Sequence, residues 1–153
     1  LRVEVDYVSL NQPDREGRII VPHTLVWTGL RWHVRGWCEK NQDYRDFVLS
    51  RFRGEPEVLD ESDHTSASDE DWHTLVTIEI APDPRLTADQ QAVVAHDYGM
   101  TDGKWQLSVR AKLLPYLLQL RRLDPTQVME DARAQQIVIL NQADIEAWLF
   151  PSG

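Results

Sequence analysis

The stretch Arg31-Trp-His-Val-Arg-Gly-Trp-Cys38, followed by Tyr44-Arg-Asp-Phe-Val-Leu-Ser-Arg-Phe52, decides the fold of the first part of the chain. Its first half alternates with the period of a half-buried β-strand. Because successive side chains of a strand point to opposite faces, Arg31, His33 and Arg35 share one face. The opposite face carries an aromatic ring, an aliphatic side chain and a thiol, from Trp32, Val34 and Cys38.

Strand-like segments flank this stretch and are separated by short turns. Val3, Val5 and Tyr7 alternate with polar residues, residues 18–27 are rich in Ile and Val, and residues 44–53 are predicted as a further strand. Four or more short strands within about 54 residues favour a small, partly open β-barrel over a sandwich.

Composition excludes several classes of protein. The chain has 153 residues, a formal net charge of −9, 42% hydrophobic and 27% charged residues, which is ordinary for a globular protein and unlike a disordered or collagen-like chain. No window approaches the length of uncharged apolar sequence that crosses a membrane. Cys38 is the single cysteine, so an internal disulfide and a Cys-based zinc site are excluded, which fits a reducing cytoplasm.

The charge is distributed unevenly along the chain. Residues 1–54 hold nine Lys/Arg and seven Asp/Glu, a net of +2, whereas residues 55–153 hold seven and eighteen, a net of −11. Between Glu55 and Asp71 lie eight acidic residues and no basic one, which predicts a solvated acidic linker. The predicted organisation is a first domain at 1–59, a linker at 60–71 and a second domain at 72–153.

The second domain alternates between strands and helices. Residues 75–80 alternate as a strand, and Thr87 with Gln90 gives the capping-box pattern of a helix start. Pro115 fits the first turn of a leucine-rich helix, and Asn141 fits the N-cap of a last helix. Further strands are predicted at 104–110 and 136–140, and the three helices are predicted to end near Gly99, Leu123 and Phe150. The fold class is therefore α+β, a small barrel followed by a mixed α/β domain.

Two interpretations of the arginines remain open at the level of residue chemistry. Guanidinium forks bind carboxylate or phosphate through two parallel hydrogen bonds, and aromatic rings beside them stack on bases. The arginines can equally be exposed side chains that pair with nearby Asp43, Asp46 or Glu39.

The two quoted segments resemble the WYL domain of bacterial transcription regulators. In that family a Trp-Tyr-Leu triplet in a strand of an Sm-like barrel is followed by a Tyr-Arg-x-Phe-x-Leu-x-Arg segment. Here Trp32 is kept, while His33 and Val34 stand where the family has Tyr and Leu. Residues 7–9 and 20–23 also resemble the family's upstream strands, so the likeness covers about residues 1–59.

The resemblance implies a sensory domain for nucleic-acid-derived or nucleotide-like ligands, placed after a winged helix-turn-helix. The ligand face would comprise the residues at the motif positions, namely His33, Arg35, Tyr44, Arg45 and Arg51, with Ser9 and His23 at its rim. Side-chain parity and charge add two further arginines to this face, Arg31 and Arg53. Three residues would pack inside the domain: Trp32, Val34 and Phe47.

The second domain resembles the C-terminal extension, often called WCX, that follows WYL domains. Its leucine-rich segment at 113–123 is similar to the repressors of phage-defence islands, those of the BREX and CBASS loci. The resemblance implies dimerisation through this extension, and hence a homodimer. The same leucines can equally belong to an ordinary core helix.

No pattern for catalysis is present. The five histidines do not fall in metal-ligating spacings, and Cys38 shares a strand face with apolar residues, as a buried thiol does. We therefore expect no catalytic residue, no metal and no cofactor. Because the chain begins at Leu1 rather than Met, we expect a DNA-reading domain upstream that contacts operator DNA.

The leading hypothesis is the sensing and dimerisation part of a DNA-binding transcription regulator. Its effector would be an anionic nucleotide or a short single-stranded nucleic acid. The alternative is a structural interaction domain without a small ligand, whose arginines face acidic side chains such as those of residues 55–71.

Overall fold

The chain divides into two compact units, Leu1–Trp72 and His73–Gly153. The computed structural model describes residues 1–124 and 128–149. Each unit has its own antiparallel sheet, and the two sheets are separate. The architecture is therefore mixed α/β with antiparallel sheets and few helices, as the sequence predicts at this coarse level.

A five-stranded antiparallel sheet forms the first unit. Its strand order is β4-β3-β2-β1-β5, so β1 lies between the second strand and the last. The strands are β1 (Val3–Tyr7), β2 (Glu16–Trp27), β3 (Trp32–Cys38), β4 (Asp43–Val48) and β5 (Phe52–Val58). No ladder joins β4 to β5 among residues 1–124 and 128–149, so the sheet is open rather than a closed barrel.

The single strand predicted for residues 44–53 is wrong. A 3₁₀ turn at Leu49–Arg51 interrupts it, because the chain pairs with β3 up to Val48 and with β1 from Phe52 onwards. The turn lets the chain leave the β3 edge of the sheet and continue along its β1 edge. The side-chain parity that placed Arg53 on the ligand face is consequently lost at this turn.

The core of the first unit is small and aromatic. Tyr7 packs edge-on against Phe47 and Phe52, with ring centroids 5.3 Å apart in both pairs. The Tyr7 hydroxyl accepts a hydrogen bond from the backbone N–H of Val48 at 3.0 Å, so its polar end is satisfied where the chain leaves β4. Aliphatic side chains and the Cys38 thiol complete the cluster of buried residues.

A β-bulge in β2 shapes the face opposite this core. Pro22 pairs with Gly36 and Thr24 with Arg35, so His23 is the extra residue. A Cβ atom at Gly36 would lie 2.6 Å from the carbonyl oxygen of Val21 and 2.8 Å from Cα of Pro22, which leaves room only for glycine. Bulges redirect side chains, and this one turns His23 toward the face that carries Arg35.

The predicted linker at 60–71 is ordered structure in the first unit. Residues 55–58 belong to β5, Ser66–Ser68 form a 3₁₀ turn and Glu70–His73 form the short helix α1. Asp69 and Trp72 are buried. The segment departs from the prediction because these two side chains find partners on the sheet.

The second unit has a three-stranded sheet of order β7-β6-β8. Its elements are β6 (Leu75–Pro82), α2 (Ala88–Asp97), β7 (Trp105–Arg110), α3 (Leu114–Leu120), α4 (Ala132–Gln135), β8 (Ile137–Ile139) and α5 (Gln142–Ile145). The predicted capping box is confirmed, since Thr87 and Gln90 exchange side-chain and backbone hydrogen bonds. No helix in the described residues is long and apolar enough to cross a membrane.

Two details of the second unit differ from the predictions. Asn141 precedes α5, but its side chain donates to the carbonyl of Thr77 at 2.7 Å and accepts from the backbone N–H of Glu79 at 2.9 Å instead of capping the helix. The last helix ends at Ile145, and its predicted end at Phe150 lies outside the described residues. Leu114 and Leu118 are buried in the core of this unit, which fits the interpretation of 113–123 as a core segment.

We expect Gly36→Ala to lower the free energy of unfolding of the first unit by about 2 kcal/mol, because the added methyl meets backbone atoms that cannot move away. Gly17→Ala is the matched control, since a Cβ there meets only side-chain oxygens of Asp6 and Glu4 at 3.7 and 3.9 Å. Urea unfolding of the two variants would measure the difference. Equal stability of both variants would contradict the close approach at Gly36.

Candidate anion-binding site on the first unit

Strand pairing sorts the predicted site residues between the two faces of the sheet. Arg35 lies opposite Asp46, and Trp37 lies opposite Tyr44, and directly paired residues point to the same face. Arg45 pairs with Gly36 and therefore points to the other face. The assignment of Arg45 to the same face as Arg35 and Tyr44 is wrong, because neighbours in a strand alternate.

Arg35 already holds a carboxylate of its own chain. Its Nε lies 2.7 Å from Oδ2 of Asp69 and its Nη2 lies 2.9 Å from Oδ1, a fork-to-fork pair. Its Nη1 lies 3.3 Å from Oδ1 of Asp46. The side chains of Arg35 and Asp69 are only 3% and 1% exposed, so this ion pair is buried.

His23 contacts the same carboxylate, and Tyr44 lies beside both His23 and Arg35. His23 donates from Nε2 to Oδ2 of Asp69 at 3.0 Å, and its Nδ1 lies 2.7 Å from the Thr24 hydroxyl. The rings of His23 and Tyr44 meet edge to face with centroids 5.8 Å apart. We call the four residues Arg35, His23, Tyr44 and Asp69 the covered cluster.

The electrostatics of the covered cluster favour the ionised pair. Burial acts to raise the pKa of Asp69, but hydrogen bonds from Arg35 and His23 outweigh it and hold this pKa below its ordinary value. Burial likewise acts to lower the pKa of Arg35, and the carboxylates of Asp69 and Asp46 raise it. Both partners therefore stay charged through the neutral range of pH.

Two further arginines lie near His33 and have no carboxylate partner. Arg31 is exposed and Arg51 is half-buried, and neither forms an ion pair within the described part of the chain. His33 is buried, and burial lowers its pKa, with the positive charges of Arg31 and Arg51 acting in the same direction. Asp46 opposes this shift. We call Arg31, His33 and Arg51 the open cluster.

The remaining predicted site residues lie elsewhere. The Ser9 hydroxyl accepts from the backbone N–H of Gln12 at 3.0 Å within a turn. Arg53 donates to the carbonyl oxygens of Ser50 and Phe52 at 2.7 and 2.9 Å, and so stabilises its own loop. Neither side chain makes a hydrogen bond to the covered or the open cluster.

Of the three predicted packing residues, two are in the core and one is exposed. Val34 and Phe47 are buried. Trp32 is 47% exposed and lies against Trp27, which is 54% exposed, with ring centroids 5.4 Å apart. Its predicted internal packing is wrong, because the end of the β2–β3 hairpin projects past the buried cluster.

The sequence did not predict the contacts that residues 60–72, here called the acidic segment, make with the sheet. The Tyr44 hydroxyl donates to the carbonyl of Thr65 at 2.9 Å and lies 2.6 Å from the Ser68 hydroxyl. The His64 ring stacks on Trp37 with centroids 3.9 Å apart and an interplanar angle of 12°. Trp72, a large apolar residue at the end of an acidic run, is the signal in the sequence that this segment is anchored.

Two family models match this chain in succession. The WYL domain matches residues 1–55, and the "BrxR transcriptional regulator, C-terminal dimerization domain" matches residues 75–145. The chain thus belongs to the WYL-domain family, with a BrxR-type dimerization domain after its WYL domain. The resemblance drawn from Trp32 and the Tyr44–Phe52 segment is confirmed.

Three similar curated proteins carry the name "DNA-binding transcriptional repressor CapW". The protein of Stenotrophomonas maltophilia is 33% identical over 147 residues, covering 96% of this chain and 49% of that protein. Those of Escherichia coli (strain KTE188) and Pseudomonas aeruginosa are 36% and 35% identical, covering 96% and 94% of this chain and 49% and 48% of those proteins. The chain spans about half the length of these relatives.

Among solved structures, the chain is similar to the proteasome accessory factor B/C (PafBC) of Arthrobacter aurescens. The TM-score is 0.38 and the identity 16%, covering 97% of this chain and 24% of that one. This likeness is too weak to carry an argument.

We expect Asp69→Ala to lower the free energy of unfolding of the first unit by about 3 kcal/mol, since it leaves the buried Arg35 without its main partner. Asp63→Ala removes an equal charge from an exposed position of the same segment and should change the stability by less than about 0.5 kcal/mol. Urea unfolding at pH 7 would compare them. Similar values for the two variants would show that the ion pair does not hold the segment.

The lowered pKa of His33 makes stability fall with acid. Below about pH 6.5 His33 takes up a proton in the unfolded chain, whereas in the folded protein its pKa is lower and it stays neutral. The free energy of unfolding therefore decreases as the pH falls. His33→Gln removes this dependence. Unfolding of both proteins between about pH 7.5 and 5.5 should therefore show a steeper loss for the wild type, and parallel curves would contradict this interpretation.

Proposed function

We propose that this chain is the effector-sensing and dimerisation part of a bacterial transcriptional repressor that acts in the cytoplasm. A WYL domain and a BrxR-type dimerization domain follow each other in one chain, and its curated relatives are named as repressors. The second unit would join two copies into a homodimer. Operator DNA would be bound by a domain outside this chain, since the chain carries a net charge of −9, which disfavours duplex binding.

The effector would be an anion that binds at the open cluster. The observation that carries this proposal is that Arg31 and Arg51, which form no ion pair within residues 1–124 and 128–149, lie near a buried His33 whose pKa is lowered by burial. Phosphate groups suit guanidinium forks. The exposed rings of Trp27 and Trp32 lie at the same end of the β2–β3 hairpin as Arg31, but on the opposite face of the sheet, where a base of a longer effector could reach them. A nucleotide or a short single-stranded nucleic acid offers both phosphates and bases.

We infer an Sm-like topology for the first unit and separate roles for the two units. The strand order, with β1 between β2 and β5, supports the Sm-like assignment. Sensing would belong to the domain at 1–59 and dimerisation to the domain at 72–153. No enzymatic role is proposed, because the relatives are named as repressors.

A structural interaction domain is the second candidate function. The Arg35–Asp69 pair favours it, because an arginine of the predicted ligand face is here satisfied by the acidic segment. In that case the first unit would dock a protein partner and bind no small anion. The two functions differ in whether the open cluster binds a polyanion.

We expect the double variant Arg31→Ala, Arg51→Ala to bind a fluorescein-labelled oligothymidylate of about ten nucleotides at least tenfold more weakly than the wild type. Two lost phosphate contacts should also reduce the slope of log affinity against log salt by about 1.4. Fluorescence anisotropy from about 50 to 200 mM salt would measure both quantities.

Arg45→Ala is the matched control, because Arg45 is an exposed arginine on the opposite face of the sheet. Its affinity should stay within about twofold of the wild type. Equal loss in the control and the double variant would reject the open cluster as the site. No binding by the wild type at low salt would favour the interaction domain instead.

A further inference from the structure

We propose that the acidic segment, residues 60–72, is an internal mimic of the anionic effector that occupies half of the effector face and must leave before the face is fully bound. The inference rests on the proposed function, because it assigns regulation to the same face. It starts from the contacts that the segment makes with the sheet. Those contacts reproduce, group by group, the chemistry of a nucleotide.

The carboxylate of Asp69 stands in for a phosphate. It accepts hydrogen bonds from Nε and Nη2 of Arg35 at 2.7 and 2.9 Å and from Nε2–H of His23 at 3.0 Å. Guanidinium forks bind carboxylate and phosphate in the same bidentate geometry. A phosphate oxygen pair in this position would meet the same three donors.

A planar ring and a hydroxyl complete the mimicry. The His64 imidazole lies flat on Trp37 at 3.9 Å between centroids, as a base stacks on an aromatic side chain. The Ser68 hydroxyl lies 2.6 Å from the Tyr44 hydroxyl, a contact that a sugar hydroxyl could replace. Phosphate, base and sugar thus each have a counterpart within six residues of chain, His64 to Asp69.

Exchange of the segment for an effector is energetically feasible. Between residues 60 and 72 only Asp69 and Trp72 are buried, and the contacts of Asp69 are polar ones that a phosphate can supply in turn. Breaking the Arg35 pair outright would leave a buried charge, whereas an arriving phosphate keeps that charge compensated. The segment also carries six acidic residues and no basic one, so a bound polyanion repels it.

The place of the segment in the chain gives its release a consequence. Trp72 ends the first unit and His73 begins the second, so the segment is the direct covalent connection between them. Release would turn the last dozen or so residues of the first unit into a flexible tether. Effector binding would thereby be linked to the length of flexible chain that connects the two units.

The experiment measures binding of the same labelled oligothymidylate to the whole chain. Asp69→Asn removes the competing carboxylate, so the apparent affinity should rise at least about tenfold, since the binding-competent fraction of the protein increases. Asp63→Asn is the control, because it removes one charge from an exposed residue of the segment that has no contact with Arg35. It should change the affinity by less than about threefold.

Two further experiments test the inference if Asp69→Asn does not fold: a variant that leaves the ion pair intact, and a measurement on the wild type. His64→Ala frees the Trp37 ring without unpairing Arg35, and should raise the affinity about threefold. In the wild type, saturating oligonucleotide should speed cleavage by a glutamate-specific protease after Glu61 and Glu70, read by fragment mass. The segment would then be exposed in the bound state.

The outcomes separate this inference from the proposed function. Suppose that the wild type binds the probe, but Asp69→Asn and Asp63→Asn change the affinity equally. The segment is then not displaced, and only this inference is rejected. The same conclusion follows if cleavage after Glu61 and Glu70 is not faster in the complex. If no variant binds at low salt, the proposed function fails and takes the inference with it. Tighter binding of Asp69→Asn together with faster cleavage supports both.

Discussion

The buried ion pair between Arg35 and Asp69 joins two parts of the first unit that lie 34 residues apart in sequence. His23 donates to the same carboxylate, and the Tyr44 hydroxyl donates to the acidic segment at the carbonyl of Thr65. An ion pair this deeply buried stabilises the fold only while both partners are present, because either charge alone would be costly to keep out of water. The covered cluster and the anchoring of residues 60–72 therefore depend on one contact.

That contact depends in turn on backbone geometry that only glycine permits. The bulge at His23 requires the backbone of β2 to approach Gly36 more closely than any side chain allows. Without the extra residue, His23 would continue the alternation of β2 instead of reaching Asp69. Shape and charge on this face are thus set together by a single irregularity in the sheet.

The face of the sheet that carries Arg35 and His33 has two halves with different electrostatics. In the covered cluster the arginine is neutralised by the chain's own carboxylate. In the open cluster Arg31 and Arg51 form no ion pair within the described residues, and burial lowers the pKa of His33 with both positive charges acting in the same direction. A net charge of −9 conceals both halves. Local arrangement, more than the sum of charges, decides whether an acidic chain can bind an anion.

The sequence by itself determined the first three strands of the first unit, the capping box at Thr87, the buried leucines of α3 and membership of the WYL family, because each depends on local periodicity or motif spacing. Only the tertiary structure decided that Asp69 fills the Arg35 fork, that Arg45 points away and that residues 60–72 are anchored. Pairing register, bulges and ion pairs between distant residues arise from the folded backbone, and no period along the chain encodes them.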